Sequence, residues 1–439
     1  MNLTCLVPIN TNTGAYSVTL HAPDGSFRLQ YLLSDPLEIV KYTKEDQQLV
    51  CYESMNLLDN FDLSSFFDIK ILYELKGFSF RSLVDLSIQV LAEAAANSYS
   101  QLSEELKAHR TSYRIAKIDI STYRDDELYP ESLLADFYRE RSNLIVRLFH
   151  NLSSCDLDFY SNRFMKVVKC LHRLSKNTLN IDLQSIEDDS THYAMTIRKE
   201  APGGNLRLKY NPVGAKTGRL GFKKGTVNIY TLPSDIRKCV VAPQGFSLVQ
   251  FDFKSFQPRL AIFSTLDEQF KKKFVDTEDI YSRFTGDREK NKINFLSWMF
   301  SCSRDENFSQ EAAPVRELRD HIYKQAKAQG YLENCFGRRL PFNAQRPNVL
   351  FQNYVTSLEV DTVLEVVLWI EKAIKNLRTK ILFPYHDAII CQVHEDEQFM
   401  ILKIKEFMEN WPKKTFGTTF PVEVKVGTNF GSLSEYEQK

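Results

Sequence analysis

The chain has 439 residues, 43% of them hydrophobic, which is enough for two or three packed domains, each with its own core. Lys plus Arg and Asp plus Glu balance at 56 each, so a uniformly basic nucleic-acid-coating protein is excluded and any basic surface must be local. No stretch reaches the roughly eighteen apolar residues that cross a bilayer, and the opening MNLTCLVPIN lacks a secretory leader's basic segment and long apolar run. The expectation is an intracellular, non-secreted protein with no membrane partner, placed in the cytoplasm, a virus-infected host's cytoplasm or an organelle. The eight cysteines are scattered singly from Cys5 to Cys391, with no CxxC pair and no histidine cluster to complete a zinc site, and read as reduced, mostly buried thiols.

In chain order, YSVTLHAPDGSFRLQYLL reads as two strands around a Pro-Asp-Gly turn, and SFRSLVDLSIQVLAEAAANSYSQLSEELKAHR as helical. Apolar residues recur at helical spacing from Leu133 to Leu152, and a further helix is expected from Phe159 to Leu174. Between Glu187 and Lys216 the chain turns polar and Gly/Pro-containing, as a connection between domains would. A second αβ block follows. There GFSLVQFDF and KILFPYHDAIICQV read as buried strands, FPVEVKVG as a third, and long charged segments between the first two carry helical periodicity.

Each central apolar run carries one aspartate, Asp252 in VQFDF and Asp387 in PYHDAII. A carboxylate on a buried strand is costly unless it is paired or binds a cation. Either aspartate alone reads first as a capping or salt-bridged residue. Two of them on strands that pair in one sheet would be close enough to share divalent ions, the arrangement of two-metal phosphoryl transfer.

Several segments in order resemble family A (polymerase I-like) DNA polymerases. FDFKSFQPR resembles the family's motif A and YHDA its motif C; Arg288 and Lys292 stand at the R-x-x-x-K spacing of motif B. KTGRLGFKKGTVNIYTLP resembles the TGR…NLQNIP segment, GRRLP the GRRR turn, Asn348 and Gln352 an N-x-x-x-Q pair, and FPVEVKVGTNF the closing strand. The resemblance implies an α/β and α+β multidomain chain. A right-hand palm, an antiparallel sheet with helices at 216–439, carries helical fingers inserted at about 265–345. It follows a reduced thumb and linker at 153–215 and a ribonuclease H-like exonuclease-type α/β domain at 1–152.

It further implies two Mg²⁺ ions, replaceable by Mn²⁺, ligated by Asp252, Asp387 and the Phe253 carbonyl. Arg288, Lys292, Gln257 and Phe300 would bind the incoming deoxynucleoside triphosphate. Arg219, Asn228, Arg338, Asn348, Gln352 and His386 would contact primer-template DNA. In motif B, anchoring on Lys292 puts Phe300 in the tyrosine place; the alternative register makes Phe295 the stacking ring and puts Asn291 where the lysine belongs.

The departures are informative. Gln257 replaces the motif A glutamate and Phe300 its tyrosine partner, so both ends of that hydrogen bond change together, and altered sugar discrimination is expected. Ala388 replaces the acid after the motif C aspartate. PINTNTG, LVCYESMNL and FYRERSNLIVRLF resemble the three exonuclease motifs, but Asn10, Asn12, Leu57 and Arg141 occupy the acid positions. Amides, a leucine and an arginine do not hold two cations, which predicts a folded domain without hydrolytic activity, the other reading being an unrelated α/β domain. The short thumb implies weak, salt-sensitive hold on duplex, with processivity or proofreading supplied by partner proteins. Two other readings are a single-subunit RNA polymerase-like enzyme and a non-catalytic DNA-binding replication subunit.

Overall fold

The computed structural model describes residues 3–10, 15–33, 48–52, 58, 65–76, 78, 80, 82–91, 97–115, 131–223, 226–301 and 306–437. The chain divides into two compact units, Met1–Lys169 and Cys170–Lys439, and the division falls inside the 153–215 segment expected to be thumb and linker.

The described strands of the first unit are β1 (Leu3–Asn10), β2 (Ala15–His21), β3 (Phe27–Leu33), β4 (Gln48–Cys51) and β5 (Phe67–Asp68), in the sheet order β3-β2-β1-β4-β5. β1, β2 and β3 form an antiparallel meander, and the strands on either side of the Pro-Asp-Gly turn pair as expected. β4 runs parallel to β1, and β5 parallel to β4. Helices follow: α1 (Ile69–Leu75), α2 (Leu83–Leu91), α3 (Asn97–Ile115) and α4 (Glu131–His150). The α4 sequence places Leu134, Tyr138, Ile145, Leu148 and Phe149 on one buried face. That face packs on β1, and the Tyr73 hydroxyl, from α1, donates to the Leu148 carbonyl at 2.9 Å.

In the second unit, the stretch expected to be an irregular connection is largely structured. Thr191 caps helix α5 (His192–Glu200), its hydroxyl accepting from Ala194 N at 3.3 Å. β6 (Thr178–Ile181) pairs with β7 (Asn205–Arg207), β8 (Tyr210–Asn211) with β9 (Gly221–Phe222), and β10 (Val240–Val241) completes a three-stranded sheet on β6. The polar composition reflects exposure rather than absence of structure: Arg207 and Asn205 face outward while Leu206 between them is buried.

The main sheet has the order β14-β15-β11-β16-β17, antiparallel throughout. β11 (Phe246–Phe253) is its centre, and the helix α6 (Phe256–Phe263) follows immediately. Next come α7 (Arg288–Ser301), α8 (Ala313–Gln329), the hairpin β12 (Tyr331–Glu333) and β13 (Arg339–Pro341), and the long helix α9 (Pro347–Ala373). β14 (Lys380–Tyr385), β15 (Ala388–His394), helix α10 (Phe399–Asn410), β16 (Val422–Gly427) and β17 (Ser434–Glu435) close the unit. KILFPYHDAIICQV is therefore two strands, not one: the chain reverses at His386 and Asp387, with His386 in the left-handed region at φ 57°. Continuous apolarity concealed the reversal, because both strands are buried along most of their length.

α9 spans 27 residues and buries most of its middle, which explains its apolar sequence without a membrane. No described helix is long and apolar enough to cross one.

Candidate active site

β11 alternates as a strand with one covered and one open face should. Val249, Phe251 and Phe253 are buried, whereas Gln250 and Asp252 are half-exposed. On the neighbouring strand β16, Glu423 pairs with Asp252 and Lys425 with Gln250, so the open face is polar across both strands. On the other side Asp252 pairs with Ala388, the first residue of β15, which directly follows Asp387 in the turn. Phe253 N–H faces the Asp387 carbonyl at 3.5 Å. The two aspartates thus meet at one end of the sheet, Asp387 from a hairpin turn and not from within a strand.

Their electrostatics follow from this placement. Burial, then the negative charge of Asp387, pushes the Asp252 carboxyl above the usual range; Gln250 Nε2, donating to Oδ2 at 3.2 Å, and Lys425 oppose this. Burial also raises Asp387, followed by the charge of Glu359, with Arg219 opposing. Two carboxylates that burden each other in this way form a hard-oxygen donor set suited to a divalent cation. Among the described residues, no group of three or more His, Cys, Asp or Glu side chains converges on a metal-sized site. The fit to a cation therefore rests on the two aspartates and nearby backbone oxygen.

Glu359, on α9, was not singled out from the sequence. It is 3% exposed and accepts from Gln257 Nε2 at 2.6 Å and from Arg219 Nη2 at 3.1 Å. Burial raises its carboxyl. Gln257 is thus joined to Glu359, not to Phe300, its expected counterpart on α7. The available signal was an acid inside the apolar helical run VTSLEVDTVLEVVLW, which is expensive without partners.

His386 stacks obliquely near Tyr230 and Tyr385, with ring centroids at 5.3 Å and 5.0 Å. Burial, then Arg219 and Arg237, holds its imidazole below the ordinary value, favouring the neutral ring. Tyr230 is positioned by Asn228, whose side chain accepts from Tyr230 N at 3.1 Å and caps a short turn. Asn228 and Arg219 are themselves exposed.

Other expected site residues are placed differently. Arg338 is 2% exposed and makes a two-point ion pair with Asp361, Nη2 to Oδ1 at 2.7 Å and Nε to Oδ2 at 2.9 Å. A DNA contact through this side chain is not supported: its donors face the interior, beneath the loop that carries Arg219. Gly218 in that loop has φ +89°, and a Cβ there would stand 2.6 Å from the Arg338 guanidinium carbon. Gly218→Ala is accordingly expected to cost about 1–3 kcal/mol, read as a fall in the thermal midpoint; an unchanged midpoint would show the loop to be free to move. Arg339 is more open, paired with Glu333 at 2.7 Å and lying over the Tyr331 ring.

Arg288 and Lys292 share an exposed side of α7, Arg288 already held by Asp279 at 2.6 Å and by Glu289. Phe295 is fully buried against Phe284, Trp298 and Phe308, and Asn291 donates inward to the Tyr281 and Phe284 carbonyls at 3.2 Å. The register that used Phe295 as a stacking ring therefore spends a core residue. Phe300 remains half-buried, its carbonyl accepting from Asn348 Nδ2 at 3.0 Å. Gln352 is exposed.

In the first unit, Asn10 ends β1, while Asn12 and Leu57 lie outside the described residues. Arg141 lies half-buried on α4, its Nε without a hydrogen-bond partner among the described residues. Burial pushes the Cys5 thiol on β1 up to about 12, against the opposing effects of Thr19 and the Arg141 charge.

No family model matches the chain. It is 24% identical over 272 residues to the thermostable DNA polymerase I of Thermus filiformis, covering 51% of this chain and 32% of that protein. The corresponding protein of Thermus thermophilus is 24% identical over 282 residues, 53% of this chain and 33% of its own length. Over about half its length the chain is thus similar in sequence to polymerase I-type DNA polymerases. DNA polymerase I of Chloroflexus aurantiacus gives 21% over 278 residues, 53% of this chain and 29% of that one. The chain spans about a third of the length of these curated relatives. Its fold is similar to the POL domain of Pol1 from M. smegmatis, solved in complex with DNA primer-template and dNTP. The TM-score is 0.72 at 15% identity, over 98% of this chain and 95% of that one.

Proposed function

We propose that the chain is a template-directed DNA polymerase that adds deoxynucleotides to a primer 3′-hydroxyl and cannot proofread. The observation that carries this reading is the meeting of Asp252 and Asp387 at the end of the β11–β15 pair, within a fold similar to a polymerase domain. Asp252, Asp387 and the Phe253 carbonyl would hold two Mg²⁺ ions, or Mn²⁺ in their place. Bound there, the ions supply charge neutralisation for phosphoryl transfer and a lowered pKa for the attacking hydroxyl. Arg288 and Lys292 meet the triphosphate from the exposed side of α7. Phe300 and Gln257 shape the base and sugar pocket. Arg219, Asn228, Asn348 and Gln352 position the DNA, and His386, neutral and stacked beside Tyr230, lies by the primer end. Arg338 contributes from beneath by supporting the loop of Arg219. The test is primer extension with Mg²⁺ and both nucleotide types. Extension with deoxynucleotides is the expected result, and extension confined to ribonucleotides would favour an RNA polymerase-like enzyme.

The first unit is read as a ribonuclease H-like exonuclease-type domain that has lost its chemistry. The mixed sheet order, with parallel β4 beside the meander, supports this, as does Arg141 at one former acid position on the helix against β1. The purified chain is expected to release no nucleotides from a mismatched primer, as measured by end-label loss. Release that disappears on mutation within this unit would refute the reading. The reduced thumb, 153–215 in this reading, implies low processivity and a clamping or proofreading partner. An intracellular site of action goes with this role.

A further inference from the structure

Glu359 belongs to a helix face otherwise occupied by Val355, Leu358, Val363 and similar side chains. A carboxylate in that setting is retained at a desolvation cost unless donors meet it. Two do, and they come from separate parts of the chain: Gln257 from the first turn of α6, five residues after Asp252, and Arg219 from the loop after β8. With Arg219 beside it favouring the acceptor form, Glu359 receives the Gln257 Nε2 hydrogen bond, so the amide has its NH₂ toward Glu359 and its carbonyl oxygen turned away. The contact at 2.6 Å is a charge-assisted bond and pins a side chain that is otherwise part-exposed and free to swing. The other carboxylate oxygen holds Arg219, whose remaining guanidinium surface is open, 44% of that side chain being exposed.

We propose that Glu359 is a positioning residue that fixes Gln257 as a rigid wall of the sugar pocket and ties it to the DNA-facing Arg219. Discrimination between deoxy- and ribonucleotides is then set from α9 as much as from Gln257. The inference rests on the polymerase reading given above. It goes beyond it by naming what holds the pocket wall in place, a task that, among the described residues, neither Phe300 nor any other residue on α7 performs for Gln257.

The test is a mutant cycle read as the ratio of deoxynucleotide to ribonucleotide kcat/KM in primer extension. Glu359→Gln preserves volume and removes the charge. It is expected to lower the ratio roughly tenfold, the scale of one lost charge-assisted hydrogen bond. Gln257→Ala, which breaks the same bond from the other side without touching α9, is expected to lower it at least as far. If Glu359 acts through Gln257, the double variant shows the ratio of Gln257→Ala alone. Additive losses in the double variant would overturn the inference. So would a parallel fall in both kcat/KM values with the ratio unchanged, which is what a merely structural glutamate gives. Absence of extension by the unaltered chain would instead sink the polymerase reading, and this inference with it; extension with an unmoved ratio would sink this inference alone.

Discussion

Replacing Asp252 or Asp387 by asparagine is expected to reduce primer extension by at least about a thousandfold, because under the proposed reading each change removes an anionic ligand from the bound cations. The same changes are expected to stabilise the protein measured in EDTA. Burial and neighbouring negative charge raise both carboxyls, so in the folded state the ionised forms cost free energy. The sign follows from linkage. A carboxyl with a raised folded pKa binds its proton more tightly when folded, so its ionisation destabilises the fold above that pKa, and the penalty disappears as pH falls to the usual carboxylate range. Near neutral pH each asparagine variant should therefore gain roughly 1 kcal/mol, seen as a rise of a few degrees in the thermal midpoint. At pH 4 the gain should vanish. The amide introduced by Asp252→Asn keeps an oxygen for Gln250 Nε2, which now donates to Asp252 Oδ2 at 3.2 Å. Mg²⁺ should raise the midpoint of the unaltered chain and not that of either variant, since a ligand bound only by the folded state stabilises it. Retained extension would refute the site. A fall in the midpoint at neutral pH would refute the mutual repulsion on which its cation-binding character rests. Stability given up at the place where chemistry occurs is the pattern expected of a functional constellation.

Arg338→Ala is expected to cost about 3–5 kcal/mol, because it leaves the carboxylate of Asp361 buried and uncompensated. The loss extends further than one pair. Asn334 Nδ2 donates to Asp361 Oδ2 at 2.8 Å and to Ser357 Oγ at 3.0 Å, and its side-chain oxygen accepts from Arg338 N at 3.1 Å. This network locks the turn between β12 and β13 onto α9. Replacing both charges together, Arg338→Met with Asp361→Leu, should recover most of the stability, since a buried ion pair and apolar residues of similar volume are often close in free energy. Chemical denaturation of the single and double variants measures both. A single variant with an unchanged midpoint but weakened DNA binding would restore the role that the sequence resemblance gave this arginine. The contrast is instructive: adjacent arginines in GRRLP differ in fate, Arg338 facing inward and Arg339 pairing with Glu333 at the surface. Alternation along the start of β13 produces the difference, and a resemblance to a motif does not reveal it.

Other parts of the site show the same division. The strand around Asp252 was legible because its residues are apolar, branched or aromatic and bounded by turn signals, and α4 was legible because its apolar positions recur at helical spacing. The hairpin at His386 and Asp387 was not, since Pro384 sits inside β14, a lone Asp is the only turn-type residue at the reversal, and His386, not a Gly or Asn, takes the left-handed conformation. The structure of 187–216 was hidden for the opposite reason: short strands with one buried residue carry too little periodicity to stand out from a loop.

By itself, the sequence determined which residue types are available for chemistry: two aspartates in apolar segments, cations spaced along one helix, and Asn10, Asn12, Leu57 and Arg141 in the segments proposed to be exonuclease-like. Those are covalent facts that no packing can change. The tertiary structure alone decided which of them meet. Strand register set Asp252 beside Ala388 and Glu423, the turn brought Asp387 alongside, and α9 carried Glu359 under Gln257 and Arg219 from about a hundred residues away or more. Proximity between distant segments depends on sheet order and helix packing, which are cooperative properties of the whole unit and leave no local mark at the residues they join.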